Sequence, residues 1–322
     1  MEMRLLKQKK GIYYTLVSVL AIALLITYNN FDDNSRLKQR GDLLSNRASA
    51  MDDFLGDIEK DMERMIKISS YRTLLSLEKY ISDNQGFLND FDDDFFNMFV
   101  DGNFNGTNYD LMEDASIIDW KDRVNEEANL LNLEFDTVPV DIEIVHLSPW
   151  DIKITLTATL LLEDFNSDIS WNYTKNISNT MSIIDFEDPL YKVYSFDKVI
   201  NLVVRASYLD FINDSNNNNS DVLQTHINNS YYIESPTGPS FLMRFEGNLS
   251  NSSYGIESFV NLEDFQRQNL EVYNRSLIDY IYFDPSSGDP DYCDFDDLQE
   301  WVAIDASHLN DYEMNKLDYS LC

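Results

Sequence analysis

The residues of this 322-residue chain whose types and spacing come closest to a known chemistry are Asp101-Gly102-Asn103-Phe104-Asn105-Gly106. They copy the first half of a calcium loop, in which alternating Asp and Asn oxygens converge on the ion and Gly permits the tight turn. Asp101, Asn103 and Asn105 would be the ligands. The twelfth position is Met112, however, and the carboxylate the pattern needs, Glu113, stands one place late. A turn rich in Asn and Gly is the competing reading. Asp289, Asp291, Asp294, Asp296 and Asp297 offer loose cation binding or simply a solvated acidic linker. No other cofactor is implied.

Nucleophilic and metal chemistry have little local support. His146, His226 and His308 stand far apart and in no metal-ligand spacing, and His146 falls on the apolar side of its strand by parity. There is no G-x-S-x-G, no H-E-x-x-H and no Gly-rich phosphate loop. Acidic pairs are too numerous to nominate a glycosidase dyad. The sequence therefore names no catalytic residue and points to a protein that is not an enzyme.

Two further chemistries concern modification. Asn-x-Ser/Thr sequons occur at Asn105, Asn172, Asn176, Asn213, Asn218, Asn228, Asn248, Asn251 and Asn274, which makes a glycoprotein one expectation and an Asn-rich composition the other. Cys293 and Cys322 can form a disulfide that ties the C-terminal tail to the acidic loop, if the chain is exported. An intermolecular bond or two free thiols are the alternatives.

The elements that would position these residues begin with a basic leader, residues 1–11, holding Arg4, Lys7, Lys9 and Lys10 against Glu2. The uncharged run Ile12–Tyr28 follows, and at about 1.5 Å per residue it reaches the lower end of what spans a bilayer. The flanking charges, basic before and Asp32–Asp33 after, predict a signal-anchor: a single-pass transmembrane helix with a cytoplasmic N-terminus and the bulk of the chain extracytoplasmic. A cleaved secretory signal or a buried core helix are the other readings of the run. A cytoplasmic part this short holds no effector domain, which argues against a conventional receptor.

Lys9-Lys10-Gly11 followed by this aromatic and apolar helix resembles the type IV prepilin signal of archaeal pilins and pilin-like secreted proteins. The resemblance implies cleavage between Gly11 and Ile12, retention of the helix on the mature protein, and partners of the same pilin-like kind. Leu16 stands where such a pilin usually has Glu.

From 35 to 82 there is no Pro, and Leu37, Leu44, Ala48, Met51, Leu55, Ile58, Met62 and Met65 recur at three-four spacing. This predicts a long helical stalk, either a coiled coil that makes the protein a homo-oligomer or a helix packed on its own ectodomain. From Ile68 onward Tyr71, Leu74, Leu75, Leu77, Tyr80 and Ile81 thicken the apolar set.

Residues 84–283 read as an acidic α+β ectodomain, and 284–322 as an acidic linker and C-terminal tail. Residues 84–322 hold 11 basic and 45 acidic side chains, and the whole chain carries a net charge of −33. That charge excludes nucleic acid as a partner, since a polyanion needs clustered Lys and Arg. Helices are expected over Phe91–Val100 and, behind the capping box Ser116-Ile117-Ile118-Asp119, to about Leu133. Three period-two runs then predict an antiparallel meander with one wet face and helices on the other. Val138, Val140, Ile142 and Ile144 form the first apolar row; Ile152 to Leu162 at even positions form the second. Ile169, Trp171, Tyr173, Ile177, Met181 and Ile183 form the third. Later strands are expected near 191–204, 240–246 and 276–283.

The function these features imply is that of a pilin-like surface or secretion-system component acting by assembly or binding. A membrane-tethered adhesin or ligand-binding module is the alternative, and an anchored hydrolase a third.

Overall fold

A computed structural model describes residues 2–166, 169–208, 210–212, 220–284, 292–296 and 298–318, with side chains from 17–28 and from 38 onward within those ranges. The chain divides into two units, Met1–Glu59 and Lys60–Cys322.

The first unit lies in helix α1, Glu2–Asn84. Among the described residues no helix is long and apolar enough to cross a membrane, so the transmembrane helix expected at 12–28 is not found. The physical reason lies in the run itself. Ile12–Tyr28 covers about 26 Å of helix against about 30 Å of hydrocarbon, and Tyr, Thr and Ser dilute its apolar side chains. The single-pass topology inferred from it loses that support. Val17, Val19, Leu20, Ile22, Leu24 and Leu25 are instead exposed along the helix.

The second unit begins with the end of α1, where Met62, Met65, Leu74, Leu77 and Ile81 of the expected series are buried together with Ile66, while Tyr71 is exposed. Small polar side chains (Ser69, Ser70, Thr73, Ser76) are buried among them and let neighbouring chain approach closely. Ser69 donates to the Ala115 carbonyl, and Arg72 donates to the carbonyls of Leu111 and Glu113 at 3.3 and 3.0 Å. Helix α2, Phe91–Asp101, starts where the Asp90 carboxylate accepts from the Asp93 amide and stops at Gly102 in the left-handed region, φ 71°. Helix α3, Ile117–Leu130, has the expected capping box between Ser116 and Asp119.

Three strands follow as a meander, β3 Leu133–Ser148, β4 Asp151–Asp164 and β5 Ser170–Ser182, after a small hairpin of β1 Asn103–Phe104 and β2 Thr107–Asn108. β4 is central, and its even-numbered apolar residues Ile152 to Leu162 are all buried, each large one contributing about 1.5–3 kcal/mol of transfer free energy. Helices cover that face. Trp120 of α3 meets Phe135 edge-on at 5.9 Å and donates to Asp61 of α1 at 2.8 Å, while Asn179 donates to the Glu63 carbonyl at 3.2 Å.

The first apolar row differs from expectation. The register slips between Pro139 and Asp141, so a bulge at Val140 switches which parity faces inward. Leu133, Phe135 and Thr137 are buried before it and Ile142 after it, whereas Val138 and Val140 are 55% and 57% exposed.

The rest of the unit is mostly short helices, with only two small strand pairs among the described residues. Segments expected as strands near 191–204, 240–246 and 276–283 hold short helices: α4 Pro189–Tyr194, α6 Phe241–Phe245 and α8 Asp279–Tyr282. Asp188 caps α4 and Pro189 takes its first turn, a helix start that overrides the apolar pattern. With α5 Asp221–Asn228, α7 Leu262–Arg267 and the two-strand pairs β6 Ile233–Glu234 with β7 Ile256–Glu257 and β8 Tyr292–Asp294 with β9 Ala303–Asp305, they enclose a second, aromatic-rich core. Tyr191, Phe211, Phe259, Phe265, Tyr282 and Tyr312 are among its aromatic members.

Candidate functional site

The calcium-loop candidate resolves into a hairpin. Asn105 and Gly106, at φ 49° and 78°, form the two-residue turn between β1 and β2, the conformation that Asn-Gly favours. Asp101 ends α2, and Asn105 donates to the Tyr80 hydroxyl at 3.3 Å. Asp101 thus stands at the end of a helix, and Asn103 and Asn105 in the hairpin that follows it.

The sequons Asn105, Asn172, Asn176, Asn228, Asn248, Asn251 and Asn274 are exposed, Asn172 and Asn176 on the wet face of β5 as expected. Asn228 accepts from Gln299 at 3.1 Å, and Asn274 donates to the Tyr292 hydroxyl. Asn213 and Asn218 lie outside the described residues. Cys293 is buried on β8 and disulfide-bonded. Its expected partner, Cys322, lies outside the described residues. So do the side chains of Gly11 and Ile12, whose backbone belongs to α1.

Residues that the sequence left unmarked assemble the more distinctive constellation. Arg244 of α6 is fully buried between two equally buried carboxylates, with Nη1 2.5 Å from Asp188 and 2.8 Å from Asp279. Tyr232 donates to Asp188 at 2.6 Å and Ser258 to Asp279 at 3.0 Å. Burial opposes the guanidinium charge, but Asp188 and Asp279 hold it firmly protonated. This knot ties α4, α6, β7 and α8 together.

Beside it, β7 and the turn after β9 bring Glu257 to His308. The Asp305 carboxylate takes His308 Nδ1 at 2.8 Å and the Ser276 hydroxyl at 2.7 Å. His308 Nε2 is 3.0 Å from the Tyr280 hydroxyl and 3.5 Å from Glu257 Oε2. Glu257 Oε1 accepts from Tyr312 at 2.9 Å, while Oε2, fully buried, has no hydrogen-bond partner among the described residues. Burial raises the Glu257 carboxyl to about 7, tempered by His308. Burial works against a charged His308, yet Asp305 and Glu257 together lift its pKa above the ordinary imidazole value. Burial would also raise Asp305, but hydrogen bonds from His308, Ser307 and Ser276 hold it below the usual carboxylate range.

From this cluster a chain of hydroxyls leads outward. Tyr280 donates to Thr237 Oγ1 at 3.1 Å, and Thr237 lies 2.9 Å from the Ser235 hydroxyl. The loop Ser235–Gly238 can sit here because residue 255 is Gly; a Cβ there would overlap the backbone of Ser235 and Gly238.

Ser235 and Thr237 form one wall of a cavity of about 990 Å³. Trp150, Tyr208 and Phe211 supply aromatic walls, and Arg205, Glu234 and Asp311 supply charge. Trp150 Nε1 donates to Glu234 at 3.0 Å, and the Arg205 guanidinium lies 5.3 Å over the Trp150 ring while pairing with Glu234 at 3.3 Å. Tyr208 and Phe211 meet edge-on at 5.9 Å, and the buried Tyr208 hydroxyl has no hydrogen-bond partner among the described residues. Among the described residues no Ser or Thr hydroxyl bonds directly to His308 Nε2, so the arrangement does not build a hydroxyl nucleophile on an imidazole base. What it builds is a concave aromatic surface with convergent polar groups.

Compared with known proteins, the chain matches no family model, no curated protein and no solved structure.

Proposed function

We propose that the protein is an exported, pilin-like surface component that acts by assembly through its N-terminal helix and by binding through the cavity of its second unit. The observation that carries the binding reading is that cavity. Aromatic rings (Trp150, Tyr208, Phe211) suit the apolar faces of a ligand. Glu234, Asp311, Ser207, Ser235 and Thr237 match hydroxyl groups. A net charge of −33 disfavours an anionic ligand. The ligand class that fits is a neutral, polyhydroxylated one of the saccharide kind.

Assembly is supported separately. Val17 to Ile26 exposes a run of large apolar side chains that gains by packing on further copies, the role that the prepilin resemblance implies for this helix. Export is supported by the disulfide-bonded Cys293 and by the exposed sequons.

The test is an array of neutral oligosaccharides probed with the full-length protein, alongside acidic ones. Selective retention of neutral glycans is expected. Retention of acidic glycans only, or of none, would contradict the binding reading.

A further inference from the structure

We propose that Glu257, His308 and Asp311 form a site for one transition-metal dication of the zinc class, open on its outer side to the cavity. Each residue places one donor atom within 4.8 Å of the other two. The 3.5 Å between Glu257 Oε2 and His308 Nε2 is close to the edge of a tetrahedron whose metal–ligand bonds are about 2.0–2.1 Å.

Four independent features point to an ion. Glu257 is 0% exposed, and among the described residues its Oε2 accepts no hydrogen bond, with His308 Nε2 3.5 Å away as its nearest charge. A buried carboxylate oxygen without a hydrogen bond is costly, and a cation bound between it and the imidazole removes that cost. His308 is held as zinc-ligating histidines are: the Asp305 carboxylate takes Nδ1 at 2.8 Å, which fixes the ring and turns Nε2 toward Glu257. The phenol of Tyr280, 3.0 Å from Nε2, has a second acceptor in Thr237 at 3.1 Å, so it can leave the nitrogen lone pair to a metal without losing its own hydrogen bond. Asp311 is exposed and lines the cavity, which gives the ion a route in and leaves one coordination position facing solvent or ligand.

The donor set selects the class. One imidazole and two carboxylates suit zinc and its neighbours, whereas calcium takes six to eight oxygens and magnesium keeps an octahedral shell of oxygen and water. The site stands without the saccharide reading, because it is read out with the metal alone. If both hold, the open position would engage a ligand oxygen.

The experiment uses full-length protein stripped with chelator and dialysed metal-free. Zinc is titrated in competition with a chromophoric chelator, in a tenfold or greater excess of calcium to mask the many surface carboxylates. One tight equivalent per chain is expected. Asp311→Asn, on an exposed side chain, should keep the fold by circular dichroism yet weaken that equivalent by about 10-fold or more, and Glu257→Gln should abolish it. Cobalt in the same site should show imidazole coordination that His308→Gln removes. An equivalent that calcium displaces, that survives both carboxylate variants, or that shows no imidazole would mean an adventitious ion only and would overturn the assignment. Absence of any tight equivalent would overturn it equally.

Discussion

Glu257 and His308 lie 3.5 Å apart, Oε2 to Nε2, with both side chains buried, one on β7 and the other in the turn after β9. Their meeting fixes the C-terminal segment against the core, since Tyr312 closes over the same carboxylate at 2.9 Å. It also sets a charged cluster behind the cavity wall, linked to it through Tyr280 and Thr237. The neighbouring Arg244 knot and this pair share β7, so the walls of the cavity rest on two buried polar assemblies instead of on loop packing alone.

Arg244 is the side chain whose removal should cost most. Arg244→Ala leaves Asp188 and Asp279 buried without a cation, and breaking a buried ion pair costs about 3–5 kcal/mol. Urea unfolding followed by circular dichroism should show a loss of that size. A change under about 1 kcal/mol would mean that water or another cation reaches the pair.

Glu78 gives the stability a downward slope with rising pH. Burial raises its carboxyl from 4.5 to about 8, despite Lys192, so the folded chain keeps a proton that the unfolded chain has lost. Stability should therefore fall between pH 4.5 and 8, by on the order of a few kcal/mol. Glu78→Gln should flatten that slope and raise the melting temperature at pH 8; an unchanged pH profile would refute the account.

His226 works in the opposite direction. Caged by Phe211, Tyr231, Phe259 and Tyr312, it is desolvated and its pKa drops from 6.5 to about 3. The folded chain then binds fewer protons than the unfolded one, and stability should be lost as pH falls from 6.5 toward 3. His226→Phe is expected to remove that acid-side loss while keeping the cage, as read from denaturation midpoints at pH 7 and 5. A midpoint for the variant that still drops as in the wild type would contradict this.

Local rules carried well where the chain obeys them locally. The capping box at Ser116 and the period-two runs of β4 and β5 appear where their residues put them, because cap chemistry and strand parity act over a few residues. The bulge at Val140 reversed the parity of β3, and Pro139, a residue that strands hold at edges and bulges, is the one local mark of it. Phe241–Phe245 is too short to show a period, so its helix was read as strand. The transmembrane reading took a run at the lower limit of length for a span, and the helix is not apolar enough over the length a span needs.

The site was hidden for a different reason. Asp305, His308 and Asp311 follow one another at three-residue steps, a spacing that signals one cluster once it is looked for. Glu257 reaches them only through the β6–β7 pairing and the packing of the C-terminal turn. Charged residues inside apolar stretches were the other signal: Arg244 in Phe-Leu-Met-Arg-Phe, Asp279 in Leu-Ile-Asp-Tyr-Ile-Tyr, and Glu257 in Ile-Glu-Ser-Phe-Val. A charge in such a setting is buried with a partner, since a lone one would be expelled.

The most direct test of the binding account is calorimetric titration of the full-length protein with a neutral oligosaccharide retained on the array, in wild type, Trp150→Ala, Tyr208→Phe and, as a surface control, Leu130→Ala. Binding should be lost in Trp150→Ala, and it should be unchanged in Tyr208→Phe, which keeps the ring that lines the cavity, and in Leu130→Ala. Equal affinity in all four proteins would place the ligand elsewhere and contradict the cavity as the binding site.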